Sequence, residues 1–424
     1  MSSFRPPGLS VGVVRLGAMT VLGRDTTERL RDCAAVQGFV KRVCFRTGPP
    51  GLVGTELEWL VVSVTDPTAS VPIPLLRDLL DAAGPPPRGS RVTYEPGGQL
   101  ELSSPAYPGA SACWQALADD AEHVRRPIEA AGLRLLPTAI DPFRTPARQL
   151  LHPRYDAMEA YFATAGGESA EVGPVMMTST AALQVNLDIG TDADDAARRW
   201  RLLHTVGPTM VAAFANSPVH AGRDTGWKSA RQRVWQHLDP GRTSVPVGPD
   251  PATAWAHYVL DAPLMLRRRD GDDWRTAPGR TFRDWVADDA DAPDVDDLSV
   301  HMTTLFPPVR PRGWFEVRYL DAQPWRWWPV PMAVLTALVE DAGASALAED
   351  ACAGLDDWEA AARDGLDSPG LRDAALACFG AALPALTHRR EHPDLVALVA
   401  AYRDRYVALG RSPADDPLDL QEAS

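Results

Sequence analysis

In four places along this chain apolar and polar residues alternate with the period of two that a β-strand imposes. The clearest is Leu52–Val62. Thr55, Leu57, Trp59 and Val61 fall on one face, and Glu56 and Glu58 fall on the other with Gly54 beside them. A second such strand carries Gln99, Glu101 and Ser103 opposite Leu100 and Leu102, and pairs with Val92–Glu95 across a Pro96-Gly97-Gly98 turn. A third is expected over Met177–Ile189, where Leu183, Val185 and Leu187 alternate with Gln184, Asn186 and Asp188. The fourth is Gly313–Leu320, with Phe315, Val317 and Tyr319 against Trp314, Glu316 and Arg318. A further strand is expected at 133–140.

Helical periodicity fills the intervals. Asp25-Thr26-Thr27-Glu28 reads as a capped start of a helix reaching about Cys44. It should bury Leu30, Cys33, Val36 or Gln37, Val40 and Cys44, and Gly48-Pro49-Pro50-Gly51 ends it. Further helices are expected over 75–83, Ser111–Ala131, Arg154–Phe162, Asp192–Asn216 as one long element, and from Pro331 onward. The acidic, Pro/Gly-broken stretch Asp270–Asp297 reads as a surface excursion. Residues 1–24 read as a poorly ordered extension, and 25–424 as a single domain with a helical part from about 331.

Composition narrows the function classes. A net charge of −14 argues against a general nucleic-acid binder, which needs a basic surface. No apolar run approaches the roughly 20 residues of a membrane span, and Arg5-Pro6-Pro7 and Arg15 interrupt any signal-peptide core. Cys33, Cys44, Cys113, Cys352 and Cys378 form no CxxC pair, which suits a reduced, cytoplasmic chain without disulfide framework or zinc finger. Lys41 and Lys228 are the only lysines, which points to a G+C-rich genome rather than to a function.

The polar faces carry the chemistry. Two carboxylates side by side on a strand repel each other and are costly to desolvate. Either the strand is a wet edge, or a divalent cation with a taste for oxygen ligands, such as Mg²⁺, sits there. Four strands with one apolar and one polar face fit a sheet with helices on its back and an acidic groove on its front. Carboxylates converging with arginines suit Mg²⁺-nucleotide chemistry. There is no GxxxxGK[ST] or GxGxxG, so neither a P-loop nor a Rossmann site is supported.

Gly54-x-Glu56-x-Glu58, Glu101-Leu102-Ser103-Ser104-Pro105, Gln184-Val185-Asn186, Ser229-Ala230-Arg231, Asp239-Pro240-Gly241-Arg242 and Phe315-Glu316-Val317-Arg318 together resemble the motifs of glutamate–cysteine ligases, in consistent order over about residues 25 to 340. The similarity is to the plant-type branch, which includes the bacterial enzymes that open ergothioneine biosynthesis. The resemblance implies an α+β, glutamine-synthetase-like fold, a mainly antiparallel sheet with helices on one face. It implies Mg²⁺ and ATP, with L-glutamate and L-cysteine joined through a γ-glutamyl phosphate, in a monomer or homodimer. By position, Glu56, Glu58, Glu101 and Glu316 match metal-ligating glutamates, with Glu316, Arg231 and Arg318 counting as catalytic. Gln184, a further metal-ligand candidate, stands where relatives have histidine. Arg231 matches the arginine that grips substrate glutamate, and Arg318 one that faces the phosphates. Gln99 and Arg233 are further substrate-binding candidates, Arg242 a nucleotide-binding one, and Asn186 a candidate for either. Asn186 could instead serve backbone groups, and Arg242 could cap a helix.

His388-Arg389-Arg390-Glu391-His392 matches the H-x-x-E-H zinc pattern. Pro393 disfavours a continuing helix, no partner ligand follows, and a basic surface turn is expected instead. The alternatives to a glutamate–cysteine ligase are a ligase of the same fold with another amine acceptor, and a non-catalytic relative that binds nucleotide or a partner.

Overall fold

Ten strands organise the described residues: β1 (Leu52–Ser63), β2 (Arg91–Tyr94), β3 (Leu100–Ser103), β4 (Tyr107–Pro108), β5 (Leu133–Leu136), β6 (Ala182–Asp188), β7 (Val219–His220), β8 (Arg223–Asp224), β9 (Val309–Pro311) and β10 (Trp314–Asp321). The structure is a computed structural model that describes residues 29–288 and 290–416. The expected extension 1–24 and the Asp25–Glu28 helix start lie outside the described residues.

Eight strands form one sheet in the order β2-β3-β1-β6-β10-β9, with β4 and β5 also pairing with β1. Every pairing is antiparallel. The register lines up the polar positions. Thr93 faces Glu101, which faces Glu58. Ser103 faces Glu56, which faces Gln184. Gly54 faces Asn186, which faces Glu316, which faces Arg310. A one-residue slip anywhere would send a carboxylate into the apolar side.

The apolar face bears the main core. Leu57, Trp59, Leu100, Leu102, Leu183, Val185, Leu187, Phe315 and Val317 pack there with buried residues of the helices Gly109–Ala130, Pro329–Glu340 and Pro369–His388. Pro329–Glu340 is apolar all round and buried along nearly its whole length, because the sheet takes one side and the later helices the other. Among the described residues no single helix is long and apolar enough to cross a membrane.

Several elements differ from the sequence expectation. The first helix is Cys33–Val43, capped by Asp32; Leu30 precedes it, its N–H bonded to Pro293. Val36 and Phe39 are buried while Gln37 is exposed. The strand expected from Met177 begins at Ala182, because 177–179 close a helix, Gly167–Ser179, whose Met176 and Met177 join a separate core cluster. The strand expected over 133–140 stops at Leu136, with an isolated bridge at Ile140. The long helix 192–216 is two, Ala193–Thr205 and Gly207–Ala213. Pro208 cannot continue the first, and Gly207 is pressed so close to Trp358 that a Cβ would stand 2.1 Å from its ring. The excursion 270–297 is only partly surface. Phe282, Trp285, Val286 and Val295 are buried with Val36, Phe39 and Val40 in a second core. Three of its aspartates serve in capping boxes, Asp284 with Thr281 and Asp294 with Asp297. Glu391 is not part of a mere basic turn: its carboxylate accepts from the backbone N–H groups of Ala110 and Ser111 and caps the helix Gly109–Ala130.

Candidate active site

The polar face of the sheet floors a groove of ≈ 270 Å³ lined by Glu56, Glu58, Glu95, Glu101 and Glu316 and by Arg91, Arg154, Arg310, Arg312 and Arg318, with Gln99, Gln184, Tyr155, Trp235 and Phe306 among its walls. Glu56, Glu58, Glu101, Glu316, Gln184, Arg318 and Gln99 are thus brought together as the strand alternation requires.

The two ends of the groove differ in charge. On β1 and β3 carboxylates crowd. Glu56 accepts from Asn186 Nδ2 at 3.0 Å, and Glu58 from Gln184 Nε2 at 3.1 Å and the Ala182 N–H at 2.8 Å. Glu101 accepts from Thr93 and Ser103 hydroxyls at 2.7 and 2.6 Å. These are neutral donors, and they leave the charge in place. Burial, reinforced by the charges of Glu101 and Glu316, pushes the Glu56 carboxyl up to about 8. Burial and Glu101 push Glu58 up to about 7, against the opposing pull of Arg231. Burial with Glu101 and Glu58 pushes Glu95 up to about 8.

On β9 and β10 the balance reverses. Glu316 is fully buried, and three guanidinium groups hold it. Arg310 Nε and Arg318 Nη1 donate to one oxygen at 2.7 and 3.0 Å, and Arg312 Nη1 to the other at 2.8 Å. Burial alone would raise this carboxyl, but Arg310, Arg312 and Arg318 outweigh it and hold it well below the usual carboxylate range. Arg318 Nη1 also donates to Gln184 at 2.8 Å, linking the two ends.

Asn186 and Arg231 stand behind the residues that line the groove. Asn186 bridges Glu56 and the indole N–H of Trp314, which donates to it at 3.1 Å. Arg231 is 2% exposed, one nitrogen donating to the Arg318 carbonyl at 2.8 Å and Nη1 ion-paired with Asp321 at 3.7 Å, while neither Nε nor Nη1 reaches a hydrogen bond. Buried guanidinium donors without a hydrogen bond are rare because they are costly, and these lie beside Glu58 and Asp321. Gln99 lines the groove, but its amide is already used, donating to Thr180 O and accepting from the Gly97 N–H.

Two candidates fall elsewhere. Arg233 points away from the groove, next to Glu168 and Trp227, on the far side of its short helix. In Ala230–Gln236, Arg231 and Arg233 are two residues apart, so they cannot share a helix face. Arg242 is fully buried, and its guanidinium donates to Asp239, to Thr304 and to the Pro263 carbonyl while lying over Tyr161. It ties a helix start to two loops and does not line the groove.

Among the charged residues that line the groove, Glu95, Arg91, Arg154, Arg310 and Arg312 escape the sequence reading, as does Asp321 behind it. Glu95 shares the parity of Thr93 on β2, a signal hidden by the turn that follows it. Arg310 and Arg312 alternate in Val309-Arg310-Pro311-Arg312, where the proline masks a three-residue strand. Asp321 is hidden by a β-bulge. The register shifts by one between Val317 and Leu320, so Glu316 and Asp321, five apart, share the polar face. Asp321 then accepts from Ser217 and Ser229 hydroxyls and the Asn216 N–H, fixing the segment that carries Arg231.

As the side chains stand, no group of three or more His, Cys, Asp or Glu among the described residues is arranged to hold a metal ion. The donor chemistry of the carboxylate end nevertheless fits a hard divalent cation, since Glu56, Glu58 and Glu95 are held up by burial and, after it, by neighbouring carboxylates, and a cation would offset both. Glu316 fits less directly while three arginines occupy it.

The fold is similar to that of a glutamate–cysteine ligase from Francisella tularensis in complex with AMP, with TM-score 0.51, 14% identity, and coverage of 87% of this chain and 84% of that one. It is likewise similar to a bifunctional glutathione synthetase from Pasteurella multocida, with TM-score 0.52, 14% identity, and coverage of 93% and 54%. The sheet and its helices therefore have the fold of this class of ligases. At the level of sequence, the model of glutamate–cysteine ligase family 2 (GCS2) matches residues 52–424. Glutamate–cysteine ligase EgtA of Mycobacterium tuberculosis is 40% identical over 397 residues, 91% of this chain and 90% of that protein. EgtA of Mycolicibacterium smegmatis is 41% identical over 378 residues, 87% of each. The chloroplastic glutamate–cysteine ligase of Brassica juncea is 31% identical over 246 residues, 55% of this chain and 47% of that one. The chain belongs to glutamate–cysteine ligase family 2 and is an enzyme of that type.

Proposed function

We propose that residues 29–416 act as one catalytic unit that joins the γ-carboxylate of L-glutamate to the amine of L-cysteine at the expense of ATP. The products are γ-glutamylcysteine, ADP and phosphate, made in the cytoplasm for ergothioneine biosynthesis. The observation that carries this reading is the bipolar groove, with carboxylates on β1 and β3 facing arginines on β9 and β10. Such a groove matches a polyphosphate with its counter-cations better than it matches either alone.

In this reading Glu56, Glu58 and Glu101, with Gln184 and Glu316 at the margin, hold Mg²⁺, which would neutralise phosphate oxygens. Arg318 faces the phosphates from the same strand as Glu316. Arg231, behind the groove beside Glu58 and Asp321, receives the α-carboxylate of glutamate. The γ-carboxylate oxygen attacks the terminal phosphorus of ATP, ADP leaves, and an acyl phosphate results. The amine then attacks the acyl carbon, the C–O bond to phosphate breaks, and phosphate carries that oxygen away. The thiol takes no part.

Glutamate labelled with ¹⁸O in the γ-carboxylate tests this order. One label atom is expected in the released phosphate. Label in AMP with release of pyrophosphate would mean adenylation, and ADP release that responds equally to any amine would remove cysteine as the acceptor.

A further inference from the structure

The charge pattern of the groove carries a consequence for how its two ends are filled. Five glutamates and five arginines line one cavity, so it is formally balanced before any ligand arrives. A divalent cation entering alone would meet the arginine end as well as the carboxylates. A polyphosphate entering alone would meet the carboxylates. Glu316 is where the two sets are joined, since Arg310, Arg312 and Arg318 all donate to it. Three guanidinium groups on one carboxylate leave a positive excess facing the groove. Arg310 sits on β9 opposite Glu316 and Arg312 in the short turn before β10, while Asn186 lies one strand beyond Glu316 and Glu56 two.

We infer that Arg310 and Arg312 are exchange residues: the phosphates of the nucleotide draw them off Glu316, and only then is Glu316 free for a metal ion. This rests on the ligase reading above and adds two positioning residues to it. The physical reason is that a buried carboxylate already satisfied by three cations gains little from a fourth. The same carboxylate stripped of two of them keeps Arg318 alone, and the lone pairs that Arg310 and Arg312 held are then open to a metal. Nucleotide and metal therefore raise each other's affinity through Glu316, and the coupling must be the same read from either side. At the carboxylate end Glu56, Glu58 and Glu101 accept from neutral donors and take metal without nucleotide, with the Arg312 charge reaching Glu56 and Glu101 only at longer range.

Mn²⁺ serves as the probe, its free concentration read by electron paramagnetic resonance with no nucleotide present. Arg312→Met should tighten Mn²⁺ binding about tenfold or more relative to the wild-type protein. In a Glu316→Gln background the same substitution should change it by less than about threefold, since the locked ligand is gone. Arg310→Met, run through the same cycle, guards against a folding defect in one variant, and each variant's melting temperature is recorded beside it. Equal gains in both backgrounds would show a general charge effect and overturn the inference, as would no gain in the Glu316 background. If the wild-type protein binds Mn²⁺ and ADP and only the cycle is additive, the exchange fails while the ligase reading stands. If ADP does not bind at all, it is the ligase reading that fails.

Discussion

At the scale of single residues, two states of charge sit a few ångströms apart on one sheet face, and each has a separate cause. Glu56 and Glu58 keep their charge problem because only amides and an N–H address them, whereas Glu316 loses its own to three guanidiniums. Arg231 is the converse, a buried cation with donors left over. Arg231→Lys should keep the charge but lose the fork, raising KM for glutamate at least tenfold with KM for ATP nearly unchanged. Steady-state kinetics with each substrate varied in turn checks this, and parallel rises in both constants would point to a structural role. Glu56, Glu58, Glu101, Glu316 and Arg318 were legible in the sequence because strand alternation alone puts them on one face. The placement of Arg242 and Arg233 away from the groove was not legible. Whether an arginine's donors are used up by backbone carbonyls, or face away around a helix of seven residues, depends on tertiary neighbours that no spacing records.

At the scale of elements, the strands followed the period of two closely, and the departures occur where local chemistry overrides it. Pro208 divides the helix expected over 192–216. Capping boxes consume aspartates that looked like a solvated acidic run. The bulge in β10 moves Asp321 to the polar face, and no pattern count finds a bulge in advance. The β2–β3 turn, by contrast, was plain from Pro96-Gly97-Gly98, and it matters for more than reversal of the chain. A Cβ on Gly97 would stand 2.1 Å from the Thr178 carbonyl oxygen and 2.6 Å from its Cα, both backbone atoms that cannot swing aside. Gly97→Ala should therefore cost roughly 1–3 kcal/mol. It should also lower turnover well beyond that of a neutral glycine change, because this hairpin carries Glu95 and Glu101 into the groove. Gly380→Ala is the control. It lies inside a helix with nothing within 4 Å of the added carbon, and should leave stability unchanged or slightly raised. Equal melting temperatures and rates for the two variants would show that the Thr178 approach is not tight in solution.

At the scale of the whole molecule, the sheet buries its apolar face against the C-terminal helices and leaves its strain on the front, in carboxyls pushed up to about 7 and 8 at Glu58, Glu56 and Glu95. That makes stability depend on pH in a definite direction. An unfolded chain releases these protons near 4.5, the ordinary value, while the metal-free folded chain retains them to about 7 or 8. Between those limits the folded state binds more protons, so stability falls as pH rises. Glu316 acts the other way, but its contribution is lost only on acidification below the ordinary carboxylate range. The buried imidazoles of His204 and His301, with protonation suppressed by burial, also act the other way, but only below their ordinary value of 6.5. Above 6.5 the carboxyls are left to dominate. With EDTA present, the melting temperature should drop between pH 6.5 and 8.5. Mg²⁺ would displace those same protons, so the rise in melting temperature on adding it should be larger at pH 8.5 than at pH 6.5. Calorimetry at the two pH values, with and without Mg²⁺, reads both effects. In Glu58→Gln and Glu95→Gln the metal-free slope should shrink, because each removes one of the retained protons. A Mg²⁺ effect of the same size at both pH values would mean that the ion does not bind at these carboxyls, and the metal assignment of Glu56, Glu58 and Glu101 would go with it.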